Sequence, residues 1–221
     1  MSNKKSKILV VDDHPLFREG LVRVLNLEND LEICGTAPDH VEALKQAAAL
    51  KPDLAIIDIS LEGINGIDLT KQLRSRYPKL RILILSMHKE AIYADRALRA
   101  GANGYIMKRE EGPRLLEAIR QVLSGHIYLS KAINDQMLQR MANPGRRADT
   151  TPIESLSDRE FEIFQLIGEG YGTRQIADEL NVSIKTIETH RERIREKLNL
   201  NTTFELVQHA IHWIHSENES R

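Results

Sequence analysis

Short apolar runs alternate with amphipathic stretches along the first 125 residues. The apolar runs, rich in β-branched residues, occupy positions 7–11, 31–36, 54–57, 81–85 and 104–107. Stretches with apolar residues at helical spacing follow at about 15–27, 40–50, 66–77, 89–100 and 112–123. The runs are too apolar to alternate, which is typical of parallel strands covered on both faces. The pattern predicts an α/β domain with a doubly wound, five-stranded parallel sheet.

The pattern changes after this region. Residues 143–152 contain two Pro, one Gly and no periodic apolar signal, which indicates a linker. A connecting helix is predicted before it, and helical segments without a strand signal follow at 157–168, 173–180, 184–198 and 203–215. We therefore predict an α/β domain over 6–124, a linker with a connecting helix over 125–153, and an all-α four-helix domain over 154–216.

Composition narrows the class of protein. The chain has 221 residues with 31 basic and 32 acidic side chains, so no global field indicates a nucleic-acid partner. A single Cys excludes a disulfide framework and suits a reducing compartment. No apolar run approaches the roughly 20 residues that span a bilayer. The apolar run after the basic N-terminus is too short for a signal peptide. We expect a cytoplasmic protein without membrane contact.

Acidic residues end two of the predicted strands. Asp12 and Asp13 follow the first apolar run, and Asp58 follows the third. Because parallel strands of such a sheet end at one edge, the three carboxylates are expected to converge there. Their mutual repulsion is most simply relieved by a divalent cation, and all-oxygen ligation suits Mg²⁺. The alternative is that these Asp residues only cap the helices that follow.

Two further groups belong to the same predicted edge. The fourth run ends at Ser86, and the fifth leads to Lys108. A hydroxyl and an ammonium there could bind the oxygens of a phosphoryl group carried by Asp58. Taken singly, Lys108 is more simply a solvated lysine and Ser86 a helix cap. Together with the acids they favour phosphoryl chemistry.

This set of residues resembles the receiver domain of bacterial two-component response regulators over about residues 6–124. The residues that carry the resemblance are Asp12, Asp13, Asp58, Ser86 and Lys108. The resemblance implies a flavodoxin-like fold, with Asp58 as the phosphoacceptor and a sensor histidine kinase as the donor of the phosphoryl group.

The resemblance also implies roles for the neighbouring residues. Lys108 and Ser86 would assist the transfer, and Ser86 with Tyr105 would form the switch that senses phosphorylation. Asp12, Asp13 and the backbone carbonyl of Ser60 would bind Mg²⁺ together with Asp58.

The helical region resembles the DNA-binding domain of LuxR/NarL/FixJ-type regulators over residues 154–214. The motifs are LSDREFE at 156–162, QIADEL at 175–180 and TIETH at 186–190. The tight turn at 181–183 between two helices is typical of a helix-turn-helix. A receiver followed by this domain is typical of NarL/FixJ response regulators. The resemblance implies a phosphorylation-controlled transcription factor that binds double-stranded DNA as a homodimer.

The second helix of this motif is the candidate recognition helix. Residues 183–198 carry five basic and three acidic side chains, whereas 156–221 carry eight and twelve, so the basic charge is concentrated on this helix. Ile187, Ile194 and Leu198 share a stripe that is expected to face the core. His190 lies at its edge, which favours a packed His over a base-reading one. The candidate DNA-contacting residues are Thr173, Arg174, Lys185, Thr186, Glu188, Thr189, Glu192, Arg193 and Arg195.

Two other functions are weighed against this interpretation. A phosphatase of the haloacid dehalogenase kind needs a second Asp two residues after its nucleophile, but Ile59 and Ser60 follow Asp58. We therefore expect no enzyme beyond the chain's own phosphorylation. The remaining alternative is a DNA-binding regulator whose receiver is controlled by a partner without phosphorylation.

Overall fold

The computed structural model describes residues 5–61, 64–110, 112–142 and 152–219. The described chain divides into two compact units, Met1–Ala142 and Asn143–Arg221. The first contains a five-stranded parallel sheet with helices, and the second is helical, so the predicted fold class is confirmed. Residues 143–151 of the predicted linker lie outside the described residues.

The sheet of the first unit has the strand order β2-β1-β3-β4-β5, with every neighbouring pair parallel. The strands are β1 (Ser6–Val11), β2 (Leu31–Ala37), β3 (Leu54–Ile57), β4 (Arg81–Ser86) and β5 (Gly104–Met107). Val11 is opposite Ile57 in the ladder of β1 and β3. The residues that follow these two strands therefore emerge side by side at the carboxyl edge of the sheet.

The described residues of the first unit form six helices. They are α1 (Pro15–Asn26), α2 (His40–Leu50), α3 (Gly66–Arg76), α4 (Glu90–Ala100), α5 (Gly112–Leu123) and α6 (Lys131–Ala142). Alternate strand residues such as Val10 and Ile56 form one buried cluster with Leu25 of α1 and Ile119 of α5. Burying each such side chain contributes about 1.5–3 kcal/mol, and this packing fixes the strands that carry the site.

A short segment before α6 extends the sheet. The backbone N–H of Tyr128 donates to the carbonyl of Asn103, and the N–H of Tyr105 donates to the carbonyl of Tyr128, at 3.0 Å each. Glu90 at the start of α4 accepts a hydrogen bond from the backbone N–H of Ser130 at 2.7 Å. The beginning of the predicted linker is thus held against β5 and α4.

The second unit contains α7 (Asp158–Gly168), α8 (Thr173–Glu179), α9 (Ile184–Lys197) and α10 (Thr203–Glu219), preceded by a 3₁₀ turn at Pro152–Ser155. A capping box begins α7, since Glu160 N–H donates to the Ser157 hydroxyl and Ser157 N–H donates to the Glu160 carboxylate. Ile187 and Ile194 of α9 are fully buried. Within the described residues, none of the helices is both long enough and apolar enough to span a bilayer.

Candidate functional site

Four side chains converge where β1 and β3 end. Asp12 and Asp58 are buried, with 2% and 3% of their surface exposed, whereas Asp13 is half-buried and His14 is exposed. One ligating atom from each of these four residues lies within 4.8 Å of the others. The structure therefore brings together the three acidic residues that the sequence placed at this edge, and adds His14.

Lys108 forms ion pairs with both buried carboxylates. Its Nζ lies 2.6 Å from Asp58 Oδ2 and 2.7 Å from Asp12 Oδ2, and its side chain is only 4% exposed. The ammonium also lies 4.5 Å from the centre of the Phe17 ring. Lys108 is positioned here because it follows β5 and its backbone N–H donates to the carbonyl of Ser86 at 2.8 Å. The arrangement leaves Asp58 both buried and close to a cation.

The environment of Asp58 shifts its acidity in two directions. Burial raises the pKa of Asp58 to about 6, and the neighbouring charges of Asp12 and Asp13 act in the same sense, while Lys108 lowers it. A second cation beside this carboxyl would favour its ionised form further. An ionised carboxylate held next to cations is suited to act as a nucleophile toward phosphorus.

The donor set fits a hard divalent cation. Asp12, Asp13 and Asp58 offer carboxylate oxygens at one position, the ligands that Mg²⁺ prefers. His14 Nδ1 lies 2.7 Å from Asp13 Oδ1, on the more exposed side of the cluster. The acidic cluster could hold a metal ion. Ser60 lies in the loop after β3, where its hydroxyl is 3.0 Å from His88 Nε2.

The two predicted switch residues are fully buried. Ser86 and Tyr105 both have 0% of their surface exposed. The Tyr105 hydroxyl donates to the carbonyl of His88 at 2.8 Å, and His88 N–H donates to the Ser86 hydroxyl at 3.2 Å. Burial raises the pKa of Tyr105 beyond its usual range, so the phenol remains a donor. Both residues thus hold the loop between β4 and α4.

Two residues of the site were not predicted from the sequence. His88 joins the loop after β3 to the loop after β4, and burial with the nearby Lys108 charge lowers its pKa to about 4, so it is neutral at physiological pH. A Cβ at Gly66 would lie 1.9 Å from the carbonyl oxygen of Asp58, so only glycine allows α3 to start here. In the sequence, His88 could be identified as a site residue only by its position two residues after Ser86. No sequence pattern identifies Gly66.

The candidate recognition helix presents a polar surface. Among the nine candidate DNA-contacting residues, Thr173 and Arg195 are half-buried and the others are exposed. The exposed ones are Arg174, Lys185, Thr186, Glu188, Thr189, Glu192 and Arg193. His190 is half-buried and burial lowers its pKa, in keeping with a packed histidine.

Several of these side chains already have partners within the unit. Arg195 donates to Glu192 at 3.3 Å and to the carbonyl of Asn201 at 3.2 Å. Arg191 Nη1 donates to the Thr173 hydroxyl at 3.3 Å and so joins α9 to α8. The Thr189 hydroxyl donates to the carbonyl of Lys185. The contact between Arg191 and Thr173 orients the two helices of the motif against each other.

Comparison with known families finds two matches along the chain. The pattern of the response regulator receiver domain matches residues 8–120. The pattern of the bacterial regulatory proteins of the luxR family matches residues 154–210. The first match contains the acidic cluster, and the second contains the candidate recognition helix.

Individual relatives agree with these matches. The oxygen regulatory protein NreC of Staphylococcus carnosus is 38% identical over 209 residues, which cover 93% of this chain and 96% of that protein. The crystal structure of a LuxR-family two-component response regulator from Aurantimonas sp. is 32% identical with a TM-score of 0.58, covering 63% of this chain and 99% of that one. The structure of RcsB from Salmonella enterica serovar Typhimurium, bound to promoter rprA in the presence of BeF3⁻, has a TM-score of 0.61 and is 22% identical. The match covers 93% of this chain and 98% of that one. This last likeness concerns the fold alone.

Proposed function

Because the chain belongs to the response regulators that join a receiver domain to a LuxR-type DNA-binding domain, we propose that Asp58 accepts the phosphoryl group. Proteins of this family are phosphorylation-controlled regulators of transcription rather than classical enzymes. We assign residues 6–124 to the receiver, 125–153 to the linker and 154–216 to the DNA-binding domain. The observation that carries the proposal is the buried carboxylate of Asp58, 2.6 Å from the Lys108 ammonium and beside two further acids.

The phosphoryl donor is a sensor histidine kinase. A carboxylate oxygen of Asp58 attacks the phosphorus of the kinase phosphohistidine, the P–N bond breaks, and the imidazole leaves after taking up a proton. Lys108 exchanges its contact with the Asp58 carboxylate for one with a phosphoryl oxygen, and Ser86 donates to another. The transfer is the chain's only catalytic step, with its own Asp58 as the substrate.

Mg²⁺ is the cofactor of this transfer. Asp12, Asp13, Asp58 and the backbone carbonyl of Ser60 would hold it, and when bound it neutralises negative charge on the carboxylates and on the phosphoryl oxygens. The fit of the three carboxylates to a hard cation supports this assignment.

The output is a change in the population of receiver conformations. When Ser86 moves toward the phosphoryl group, His88 N–H loses its hydroxyl acceptor and Tyr105, which donates to the carbonyl of the same residue, reorients. The resulting change in the loop before α4 controls dimerisation or DNA binding of the other unit. The chain then binds double-stranded DNA as a homodimer in the cytoplasm.

In the DNA-binding unit, α9 enters the major groove. Lys185, Glu188, Thr189, Glu192 and Arg193 are assigned to the surface that faces the groove. Phosphate contacts are assigned to Thr173, Arg174, Thr186 and Arg195. Their exposure and their position on α8 and α9 support the assignment.

The phosphoacceptor is tested with acetyl phosphate and Mg²⁺. We expect intact mass spectrometry to show one added phosphoryl group on the wild-type chain and none on Asp58→Ala or without a divalent cation. Asp95→Asn, which alters an exposed carboxylate on α4, is the matched control and is expected to be labelled fully. Labelling of Asp58→Ala equal to that of wild type would show that another residue is the acceptor. DNA binding that is the same with and without the added phosphoryl group would favour control by a protein partner instead.

A further inference from the structure

A cavity of about 820 Å³ lies at the end of the receiver sheet opposite Asp58. Its walls come from the starts of β1 and β4 and from the connections α2–β3 and α3–β4. In a parallel sheet these segments lie at the amino edge, whereas Asp58 follows the carboxyl end of β3. The cavity is therefore separate from the phosphorylation site, and its volume is that of a pocket for a small ligand.

The walls of this amino-edge cavity are strongly basic. The cations are Lys5, Lys51, Arg76, Lys79 and Arg81. One acid, Asp53, accompanies them, and its carboxylate accepts a hydrogen bond from the backbone N–H of Lys7 at 2.8 Å. Throughout the described part of the chain, no ion pair joins any of the five cations to a carboxylate. The cavity thus carries an excess of positive charge in a chain whose net charge is −1.

Helix ends account for only part of this charge. Lys51 caps α2 and Arg76 is the last residue of α3, where cations offset the partial negative charge of the terminal carbonyls. Lys5, Lys79 and Arg81 lie outside the helices, so this explanation does not cover them. Cations of like sign around one cavity repel each other, and a bound anion would relieve that repulsion.

The cavity also has an apolar side. Tyr77 and Leu80 line it together with Pro52 and Pro78. Tyr77 is half-buried, so part of its side chain remains accessible to a ligand. Arginine binds phosphate oxygens through two parallel hydrogen bonds, and an aromatic side chain stacks on a planar base. We propose that the amino-edge cavity binds a small phosphorylated ligand that carries an aromatic ring, of the nucleoside polyphosphate class.

The probes are ATP and inorganic tripolyphosphate, titrated calorimetrically into the full-length chain without added divalent cation. We expect saturable binding of ATP to one site, and weaker binding of tripolyphosphate because it lacks the ring. Arg76→Gln and Lys79→Gln should each weaken both probes by about tenfold, since each removes one charge-assisted contact. Tyr77→Ala should weaken ATP binding and leave tripolyphosphate binding unchanged.

Two matched controls locate the site. Arg23→Gln removes an exposed cation from α1, and Arg193→Gln removes one from the recognition helix; both are expected to bind ATP like wild type. The proposal is overturned if neither probe binds saturably at millimolar concentration, or if Arg193→Gln loses binding while Arg76→Gln keeps it. The nucleotide assignment would be overturned if ATP and tripolyphosphate bound wild type equally tightly and Tyr77→Ala left both affinities unchanged. Phosphorylation of Asp58 in Arg76→Gln, measured by mass, tests the proposed function independently.

Discussion

At the scale of single residues, one ammonium allows two carboxylates to be buried side by side. Asp12 and Asp58 each lie within 2.7 Å of the Lys108 Nζ, and all three side chains are almost inaccessible to water. Removing one partner of a buried ion pair costs about 3–5 kcal/mol because an uncompensated charge remains. With two acids and one cation the cluster keeps a net negative charge, which Asp13 increases. The net negative charge of the site therefore favours the binding of a further cation.

Gly66 has no side chain, and α3 can therefore begin against the backbone of Asp58, the proposed phosphoacceptor. We expect Gly66→Ala to destabilise the first unit by about 2–3 kcal/mol, because its Cβ would overlap the carbonyl oxygen of Asp58, which is backbone and cannot rotate away. Displacement of Asp58 should also slow phosphorylation by acetyl phosphate. Urea denaturation followed by circular dichroism gives the stability, and mass spectrometry gives the labelling.

Gly20→Ala is the matched control for this change. Gly20 lies inside α1 with nothing near the position of an added Cβ, so alanine should stabilise the unit by about 0.5–1 kcal/mol through its helix propensity. If Gly66→Ala were as stable and as readily labelled as Gly20→Ala, the close approach of α3 to Asp58 would not exist in solution.

At the scale of elements, α7 depends on its first turn. The Ser157 hydroxyl accepts from the N–H of Glu160, whose carboxylate in turn accepts from Ser157 N–H and from Lys197 Nζ at 2.6 Å. We expect Ser157→Ala to destabilise the second unit by about 1 kcal/mol, because one N–H at the helix start loses its acceptor. Fluorescence of Trp213, the chain's single Trp, measures it. Ser157→Asp keeps a capping oxygen, and a loss as large as that of alanine would contradict the capping role.

The start of α6 depends on Glu90 of α4. Glu90 Oε1 accepts from Ser130 N–H at 2.7 Å, and burial raises the pKa of Glu90. Hydrogen exchange of α6 amides at pH 7 should be about tenfold faster in Glu90→Ala, because a hydrogen bond to a charged group is lost. Because the pKa of Glu90 is raised in the folded state, ionisation of its carboxyl group is disfavoured by folding. The free energy of unfolding therefore falls as the pH rises through the folded pKa of Glu90.

Glu90→Gln separates the hydrogen bond from the charge. The amide oxygen of Gln can still accept from Ser130 N–H, and it carries no charge whose burial is unfavourable at neutral pH. We expect α6 exchange in this variant to be no faster than in wild type. Exchange as fast as in Glu90→Ala would mean that α6 is held by the carboxylate charge and not by the acceptor.

The elements were predictable from the sequence because their signals are local. Strands buried on both faces appear as uninterrupted apolar runs, and β3 occupies the predicted residues 54–57. The convergence of Asp12 with Asp58 followed from parallel topology alone, which the pairing of Val11 with Ile57 provides. The bridging position of Lys108 between both acids depends on side-chain geometry across three strands, and no pattern along the chain encodes it.

Other features could not be predicted because they arise from contacts distant in sequence. His88 is defined by its hydrogen bond to Ser60, and Glu90 by Ser130, forty residues away. The amino-edge cavity likewise combines cations that are scattered along the chain, so none of them forms a charge run that a sequence would display.

At the scale of the whole molecule, the two units carry separate reporters of unfolding. Trp213 packs edge-to-face against Phe161 and at a tilt against Phe164 of the second unit, with ring centres 5.5 and 5.8 Å away. The first unit contains no Trp, and its acidic cluster carries the candidate metal site. Circular dichroism detects the helices of both units, so the two signals together separate their transitions.

Addition of Mg²⁺ should therefore stabilise one unit selectively. A ligand that binds only the native state adds about 2.7 kcal/mol at a hundredfold excess over its Kd. In urea denaturation we expect Mg²⁺ to raise the midpoint seen by circular dichroism and to leave the Trp213 midpoint unchanged. Asp13→Asn, which removes one carboxylate of the cluster and keeps the buried pair, should lose most of the shift. An equal shift of the Trp213 curve would mean that the two units unfold together, and no shift in either signal would exclude the acidic cluster as a metal site.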